Sequence, residues 1–513
     1  MRSSLLLLVS RWLLGAVAGA QTLPQVDTLA EARRLRDARD FAGAAAMLAP
    51  YVESHPDDAG SARFAALMAY WSRDFRSARA IYEQAFARHP TSADVRVEYA
   101  RFLMDLGQTS RARELLTPLV ETGDRSTPAT RRALALLGTL DYWSGDYSRA
   151  RSRFVEVLRL DSTDADARRQ LREIELASAS WLGVGMSAWD DDQPLRRLAL
   201  DAEGGWFATP VTPLSLRVRS TGLDNDGVNE RLSLVEGSVA TYWPAAHLDL
   251  GLGGGALQRS FGDASDWTGR ITLGFRLPKG TVLEGKAERA AYLNTASSLE
   301  TAVMTNTLQA SAKWSHGGWL GEAVARRESF EDDNAVATGY LWLLAPVVRR
   351  ETGTLQIGYS FAAQSATESR FVPRDNAVPF PPGQPPATVP GVYDPYYTPR
   401  NLRASSALLA ATLRPTPRLS FTGNGAYGFH ARDDAPVLVT VFVPPNVSVA
   451  RTYYDRDFTP WNVGGGVEGA VTDAVHLSVT AEHGRAAYYQ YTTASVRLTY
   501  TFFAAARRRA DRY

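Results

Sequence analysis

From about Ser178 to Phe503 the chain is one short alternating segment after another. In the last of them Val496, Leu498, Tyr500 and Phe502 share one face and Ser495, Arg497, Thr499 and Thr501 share the other, the two-residue period of a strand. The alternation parses into 16 such segments: 179–190, 195–207, 211–221, 229–243, 246–261, 266–276, 280–293, 300–315, 318–330, 334–345, 353–364, 401–414, 418–431, 458–471, 474–487 and 489–503. The connections after even-numbered segments are short, such as Pro244-Ala245, His316-Gly317 and Thr472-Asp473, whereas the two longest, 365–400 and 432–457, follow odd-numbered ones. Short turns on one side and long loops on the other mark an antiparallel membrane barrel. Inside a bilayer each unpaired backbone amide or carbonyl costs several kcal/mol, so strands cross only in a closed cylinder. About 16 strands enclose more space than their own side chains fill.

Composition removes other routes into a membrane. Beyond the first 20 residues no run of 18 apolar residues occurs, and the mean hydropathy is −0.22. Cysteine is absent, which excludes disulfides, thiolate metal sites and lipid attachment through an N-terminal cysteine. Fifty-six basic residues against 55 acidic ones leave a net charge of +1, with no basic stripe for nucleic acid. Residues 1–20 read as a secretory signal: a long basic start from Met1 to Arg11, a short apolar stretch from Trp12 to Ala18, and Ala18-Gly19-Ala20 as the cleavage site. Export to the cell outer membrane, with the segment that follows in the periplasm, is the expectation.

Residues 21–177 change to a helical period. Asp40-Phe41, Asp74-Phe75, Gln108-Thr109 and Asp146-Tyr147 open one recurring theme, and Ala44, Ala78 and Ala112 stand 34 residues apart. That spacing is the tetratricopeptide period. Each small residue is followed four positions on by a large apolar one (Leu48, Tyr82, Leu116, Phe154), and the fourth repeat arrives four residues late after an insertion at 122–128. About four repeats and a capping helix over 161–177, with Ser162 or Thr163 near its N-cap, make a solenoid whose concave side is free to hold a partner. Tyr70, Trp71, Tyr142 and Trp143 are read either as part of that groove or as packing between helices. The whole is therefore a multidomain α + β chain: signal peptide 1–20, α-solenoid 21–177, transmembrane β-barrel 178–503 and a basic tail at 504–513.

Catalytic and nucleotide-binding patterns (H-E-x-x-H, G-x-S-x-G, G-x-x-x-x-G-K-[ST]) are missing, so no enzyme and no cofactor are expected. His476 and His483 fall on opposite faces of one strand, and the glycine clusters at 253–255 and 464–466 precede no helix, which leaves bending or lumen space as their use. The polar faces carry both signs. Arg217, Arg219, Glu284, Lys286, Glu288 and Arg497 are the candidates for lining the lumen, and their balance argues against a strongly ion-selective pore.

The longest loop contains FVPRDNAVPFPPGQPPATVPGVYDPYYTPRN, residues 371–401, whose nine prolines preset an extended backbone that ends in aromatics. Signal peptide, tetratricopeptide solenoid and a barrel of about 16 strands together resemble the outer-membrane exporters of bacterial exopolysaccharides, of the cellulose-exporter and poly-N-acetylglucosamine-exporter type. The segment from Tyr393 to Pro399 is similar to the aromatic-aromatic-Ser/Thr-Pro segment of that group. The resemblance covers nearly the whole chain. It implies a polysaccharide channel in the outer-membrane lipid, partners among periplasmic or inner-membrane synthase components, and substrate contacts at Tyr393, Tyr396, Tyr397, Thr398 and Pro399. About four repeats is fewer than the cellulose exporters carry, so the smaller YaiO-type relatives are a second resemblance. A surface-binding or assembly protein with a plugged barrel, and a general diffusion porin, are the alternative functions.

Overall fold

The computed structural model describes residues 27–193, 195–225, 227–260, 265–277, 280–374, 388–443 and 446–502. The expected signal peptide, the proline-rich stretch 375–387 and the basic tail lie outside the described residues.

Nine helices open the described chain: α1 Thr28–Asp37, α2 Phe41–Ser54, α3 Ala59–Trp71, α4 Phe75–Arg88, α5 Ala93–Asp105, α6 Thr109–Glu121, α7 Pro128–Trp143, α8 Tyr147–Leu160 and α9 Ala165–Ala177. The repeated theme is a turn followed by a cap. Arg39, Arg73, Gly107 and Gly145 occupy the same place in successive repeats and all have positive φ. One residue later Asp40, Asp74 and Asp146 each accept a backbone N–H from the residue three positions on, whereas Gln108 makes no such bond. Ala44, Ala78, Ala112 and Ala150 are fully buried where the helices of each repeat approach, and Leu48, Tyr82, Leu116 and Phe154 are buried one turn further on. Gly138 belongs to the same packing: a Cβ there would stand 2.9 Å from the Phe154 ring. The cap of α9 is Asp164, not Ser162 or Thr163. Asp161 takes the Thr163 amide and hydroxyl on its own Oδ1, which makes a separate turn and delays the helix.

The chain divides into two compact units between Leu137 and Gly138, within α7. In the second unit the strands begin with β1 Trp181–Asp191, β2 Leu195–Thr209, β3 Thr212–Asn225, β4 Val228–Trp243, β5 Leu248–Arg259 and β6 Ser265–Leu277. β7 Thr281–Ala291, β8 Met304–His316, β9 Trp319–Phe330, β10 Ala335–Arg350 and β11 Gly353–Ala366 continue the meander. Three short strands lie in the long loop, β12 Phe371–Pro373, β13 Thr388–Val389 and β14 Gly391–Tyr393. The last six are β15 Leu402–Thr416, β16 Leu419–Val443, β17 Asn446–Phe458, β18 Trp461–Ala470, β19 Val475–Arg485 and β20 Gln490–Thr501. A short helix, α10 Ser297–Glu300, sits between β7 and β8.

Sixteen of these strands form a closed antiparallel wall: β1 to β11, β15, β16, β18, β19 and β20, with β20 returning to β1 so that Tyr500 faces Leu182. β16 exceeds its expected length. Its first part pairs with β18 and its remainder with β17, so the segment read as the loop 432–457 is a β-hairpin that prolongs the wall strand.

The two faces of the wall are distinct. Val496, Leu498 and Tyr500 on β20, Leu182, Val184 and Met186 on β1, and Ile271, Leu273 and Phe275 on β6 are all exposed on the outside. No soluble protein leaves so continuous an apolar belt in water, and the wall spans a membrane. Near the strand ends Trp206, Trp243, Trp267 and Trp319 are exposed, while Tyr242 lies buried under the Arg276 guanidinium, 4.1 Å from its ring centre. The Ser144–Asp146 turn between α7 and α8 comes against that same Tyr242. The helices from Gly138 onward therefore meet the short-turn end of the barrel.

Candidate functional site: an ion-paired lumen with an aromatic cap

Inward positions on β20, β2 and β3 form the first stretch of a charged ladder. Arg497 lies 2.6 Å from Asp201 and 3.5 Å from Glu203, and Glu203 also binds Arg217 at 2.6 Å. Further round, Arg270 bridges Glu236 (2.6 Å) and Glu288 (3.7 Å), and Lys286 joins Glu288 at 2.6 Å. Lys313 then spans Glu284 and Glu322, and Glu322 accepts the Trp342 indole N–H. Glycines make room for these chains to lie flat. A Cβ at Gly183 would come within 2.8 Å of Arg497, and one at Gly185 within 2.8 Å of Asp201. Arg217, Arg219, Glu284, Lys286, Glu288 and Arg497 all stand on the face opposite the exposed apolar rows.

The facing arc differs. Gln356, Ser360 and Gln364 on β11, Ser406 and Thr412 on β15, and Thr422 and Asn424 on β16 carry no charge. Polar but uncharged groups exchange hydrogen bonds with a hydroxylated solute at little net change in free energy.

At the end away from the short turns, two connections reach across the lumen. The β7–β8 connection is tied to β2, with Arg197 donating to the Leu293 carbonyl at 3.0 Å. Leu293 packs on Leu195, Leu223, Leu232, Leu257 and Met304, which fill the interior there. The β11–β15 connection rests on it, and the Thr295 hydroxyl donates to the Pro395 carbonyl at 2.5 Å. Tyr396 is buried flat on Phe330, with ring centres 3.5 Å apart and planes at 4°. Its hydroxyl donates to Asp332 at 2.6 Å, and Arg370 binds the same carboxylate at 2.6 Å.

These three groups form a latch. Burial pushes the Tyr396 hydroxyl up to about 12, helped by the hydrogen bond to Asp332. Burial also raises the Asp332 carboxyl, but the bonds from Tyr396 and Arg370 outweigh it and hold the group below its ordinary value. The Arg370 amide donates to the Thr398 hydroxyl at 2.8 Å, and the Ala366 amide to the Pro399 carbonyl at 2.7 Å.

Beside the latch an aromatic arc lines the capped end. Tyr393 meets Tyr397 edge-on, Tyr397 stacks on Tyr488 at 4.1 Å, Tyr488 touches Tyr489, and Tyr489 reaches Trp189, which stacks on Tyr491 at 4.8 Å. A cavity of about 390 Å³ opens there, lined by Tyr292, Tyr397, Tyr488, Tyr489, Arg326 and Glu328. That size lies in the range of small-ligand pockets, roughly 300–1,000 Å³. The Tyr397 hydroxyl is buried with no hydrogen-bond partner, as is Arg326 Nε. Burial raises the Tyr397 and Tyr488 hydroxyls well above the ordinary tyrosine value, so both remain neutral donors.

The five residues singled out in the loop divide by position. Tyr393, Tyr396 and Thr398 are buried, Tyr396 against Phe330 of β9 and Tyr393 between Phe371 and Tyr488, whereas Tyr397 and Pro399 line the cavity. Sequence reasoning missed Trp189, Arg370, Tyr488, Tyr489 and Tyr491. One signal was readable: three tyrosines within Tyr488-Tyr489-Gln490-Tyr491 at the turn between two strands.

Residues 72–137 match the tetratricopeptide-repeat family model. The helices ahead of that match keep its 34-residue spacing, with Ala44, Ala78 and Ala112 all buried. Among solved structures, a bacterial polysaccharide outer-membrane secretin is similar at 12% identity and a TM-score of 0.46, over 64% of this chain and 99% of its own. CdiB from Acinetobacter baumannii is similar at 13% identity and a TM-score of 0.36, over 63% of this chain and 60% of its own. PilF from Pseudomonas aeruginosa is similar to the helical part, at 18% identity and a TM-score of 0.27, over 28% of this chain and 65% of its own. No curated protein sequence matches the chain.

Proposed function

We propose that this tetratricopeptide-repeat barrel is an outer-membrane channel for the export of a secreted polysaccharide. The helical repeats lie in the periplasm and receive polymer or components of its synthase, and the capped end faces the cell exterior. The observation that carries the reading is the stacked Tyr397–Tyr488 pair beside an open cavity of about 390 Å³. Sugar rings present C–H faces that pack on aromatic rings, and their hydroxyls suit the buried, unpartnered Tyr397 hydroxyl. The paired lumen charges support passage of a hydroxylated chain better than passage of one kind of ion. No nucleotide-binding pattern occurs in the sequence, so movement is driven by synthesis upstream.

The Tyr396–Asp332–Arg370 latch favours one competing reading, a permanently plugged barrel that serves as a surface anchor or assembly factor. Planar-bilayer conductance separates the two. The export reading expects a small conductance that rises when the latch is broken by Asp332→Asn, is blocked by oligosaccharide, and loses that block in Tyr397→Ala/Tyr488→Ala. A barrel silent in both the parent and the latch variant, with polymer secretion unchanged in a deletion strain, sinks it. Conductance indifferent to oligosaccharide and to both tyrosines marks a general porin.

A further inference from the structure

The arginines of the lumen wall that form the charged ladder each have a carboxylate partner, but Arg327 and Arg403 on the outer face of the wall do not. Arg327 on β9 and Arg403 on β15 are exposed and have no ion-pair or hydrogen-bond partner among the described residues. Both line one groove of about 770 Å³ cut into the outside of the wall. Its floor is low because Ala325, Gly339 and Ala363 stand side by side across β9, β10 and β11, with Arg403 next in the same row. No carboxylate lines the groove. Large apolar side chains resume just beyond, at Leu341 and Phe361, so the two guanidinium groups sit at the border of the apolar belt.

From these observations we infer that the groove is a docking site for a membrane lipid whose headgroup carries two phosphates. Guanidinium is a forked donor that grips phosphate in two parallel hydrogen bonds. β9 and β15 are separated by β10 and β11, three strand spacings or about 14 Å, which suits two anionic groups on a spacer. The alanine and glycine floor leaves room beneath the headgroup for acyl chains to approach the wall. Arg432 faces Arg403 on the next strand but has Asp457 opposite on its other side, so it belongs to the mixed-charge rim and not to the site. The inference rests on the barrel spanning a membrane, and not on what passes through its lumen.

The test uses the purified full-length protein and three probes: bis-phosphorylated lipid A, the same lipid after dephosphorylation, and phosphatidylglycerol. Native mass spectrometry of detergent-released protein counts retained lipid. Bis-phosphorylated lipid A is expected to be held at least about tenfold more tightly than the other two, and R327Q/R403Q to lose about that factor, the size of one charge-assisted hydrogen bond. The heat-dependent gel mobility of R327Q/R403Q reports whether the barrel still folds, and its conductance is expected to equal that of the parent. Equal retention of the dephosphorylated lipid or of phosphatidylglycerol overturns the assignment, as does unchanged retention by a folded R327Q/R403Q. A failed oligosaccharide block would overturn the export reading and leave these results as they stand.

Discussion

Leu48 and Leu498 are the same side chain in opposite circumstances. Leu48 is fully buried between helices, whereas Leu498 is 43% exposed on the outside of a strand wall. Around Leu48 the ion pairs lie on the surface, as Arg34–Glu31 does, and around Leu498 they lie inside, as Arg497–Asp201 does. The helical array turns its apolar side chains away from water, and the barrel turns them toward lipid. Burial thus measures packing, while the surrounding solvent decides which face a residue needs.

The contrast breaks most sharply at Phe154. Phe154→Ala is expected to remove about 3–5 kcal/mol from the helical packing, because the ring fills the space over Gly138. Urea titration followed by protease resistance should show the helices opening while the barrel keeps its gel mobility. Next in size is Leu498→Arg, expected to cost the barrel about 2–4 kcal/mol if the position lies near the bilayer midplane. Thr499→Arg, one residue on and facing the lumen, should cost far less, and chemical unfolding from lipid vesicles compares the two. Equal costs would undo the assignment of faces.

Smaller again is Asp332→Asn, which leaves Tyr396 and Arg370 without their shared carboxylate and should loosen the cap by about 1–3 kcal/mol, read as raised conductance and faster amide exchange near Tyr396. The same latch has a pH signature. Asp332 titrates below its ordinary value of 3.8 in the folded state, so its contribution is complete above that value and is lost as pH falls through the depressed one. Conductance should thus hold steady at neutral and mildly acidic pH and rise only in stronger acid, a step that Asp332→Asn removes. The smallest expected effect is a gain. Gln108 is the one cap among the four equivalent positions with no side-chain hydrogen bond, and Gln108→Asp should stabilise the helical unit by about 1 kcal/mol in the same urea titration.

Much of the architecture was legible because it is written in periods. The spacing of Ala44, Ala78 and Ala112 forecast the fully buried alanines, and the alternation ending at Phe502 forecast the exposed row on β20. Loop lengths sorted the two ends of the barrel without any knowledge of register. The interior of the cap was less legible, since Tyr396 meets Phe330 and Asp332 across more than 60 residues of sequence, and only closure of the wall brings them together. The hairpin of β16 and β17 was hidden for another reason. The charges cluster at its base, in Asp433, Asp434, Asp455 and Asp457, and read as the end of a wall strand, although the stretch beyond them, Ala435 to Val443, is uncharged and pairs along β17.

That hairpin has a mechanical consequence. β16 runs for 25 residues without a turn, on the order of 80 Å of extended backbone and far more than the hydrocarbon thickness requires. One half of a single strand is anchored in lipid and the other half stands in water, braced by β17. For the wall to slip back, Asp433 and Asp434 at the base of the hairpin, with Asp455 and Asp457 facing them on β17, would have to be dragged through hydrocarbon, so the strand works as a barb: it settles once on which side of the membrane this protein shows its tip, and it carries any force applied there directly into the wall.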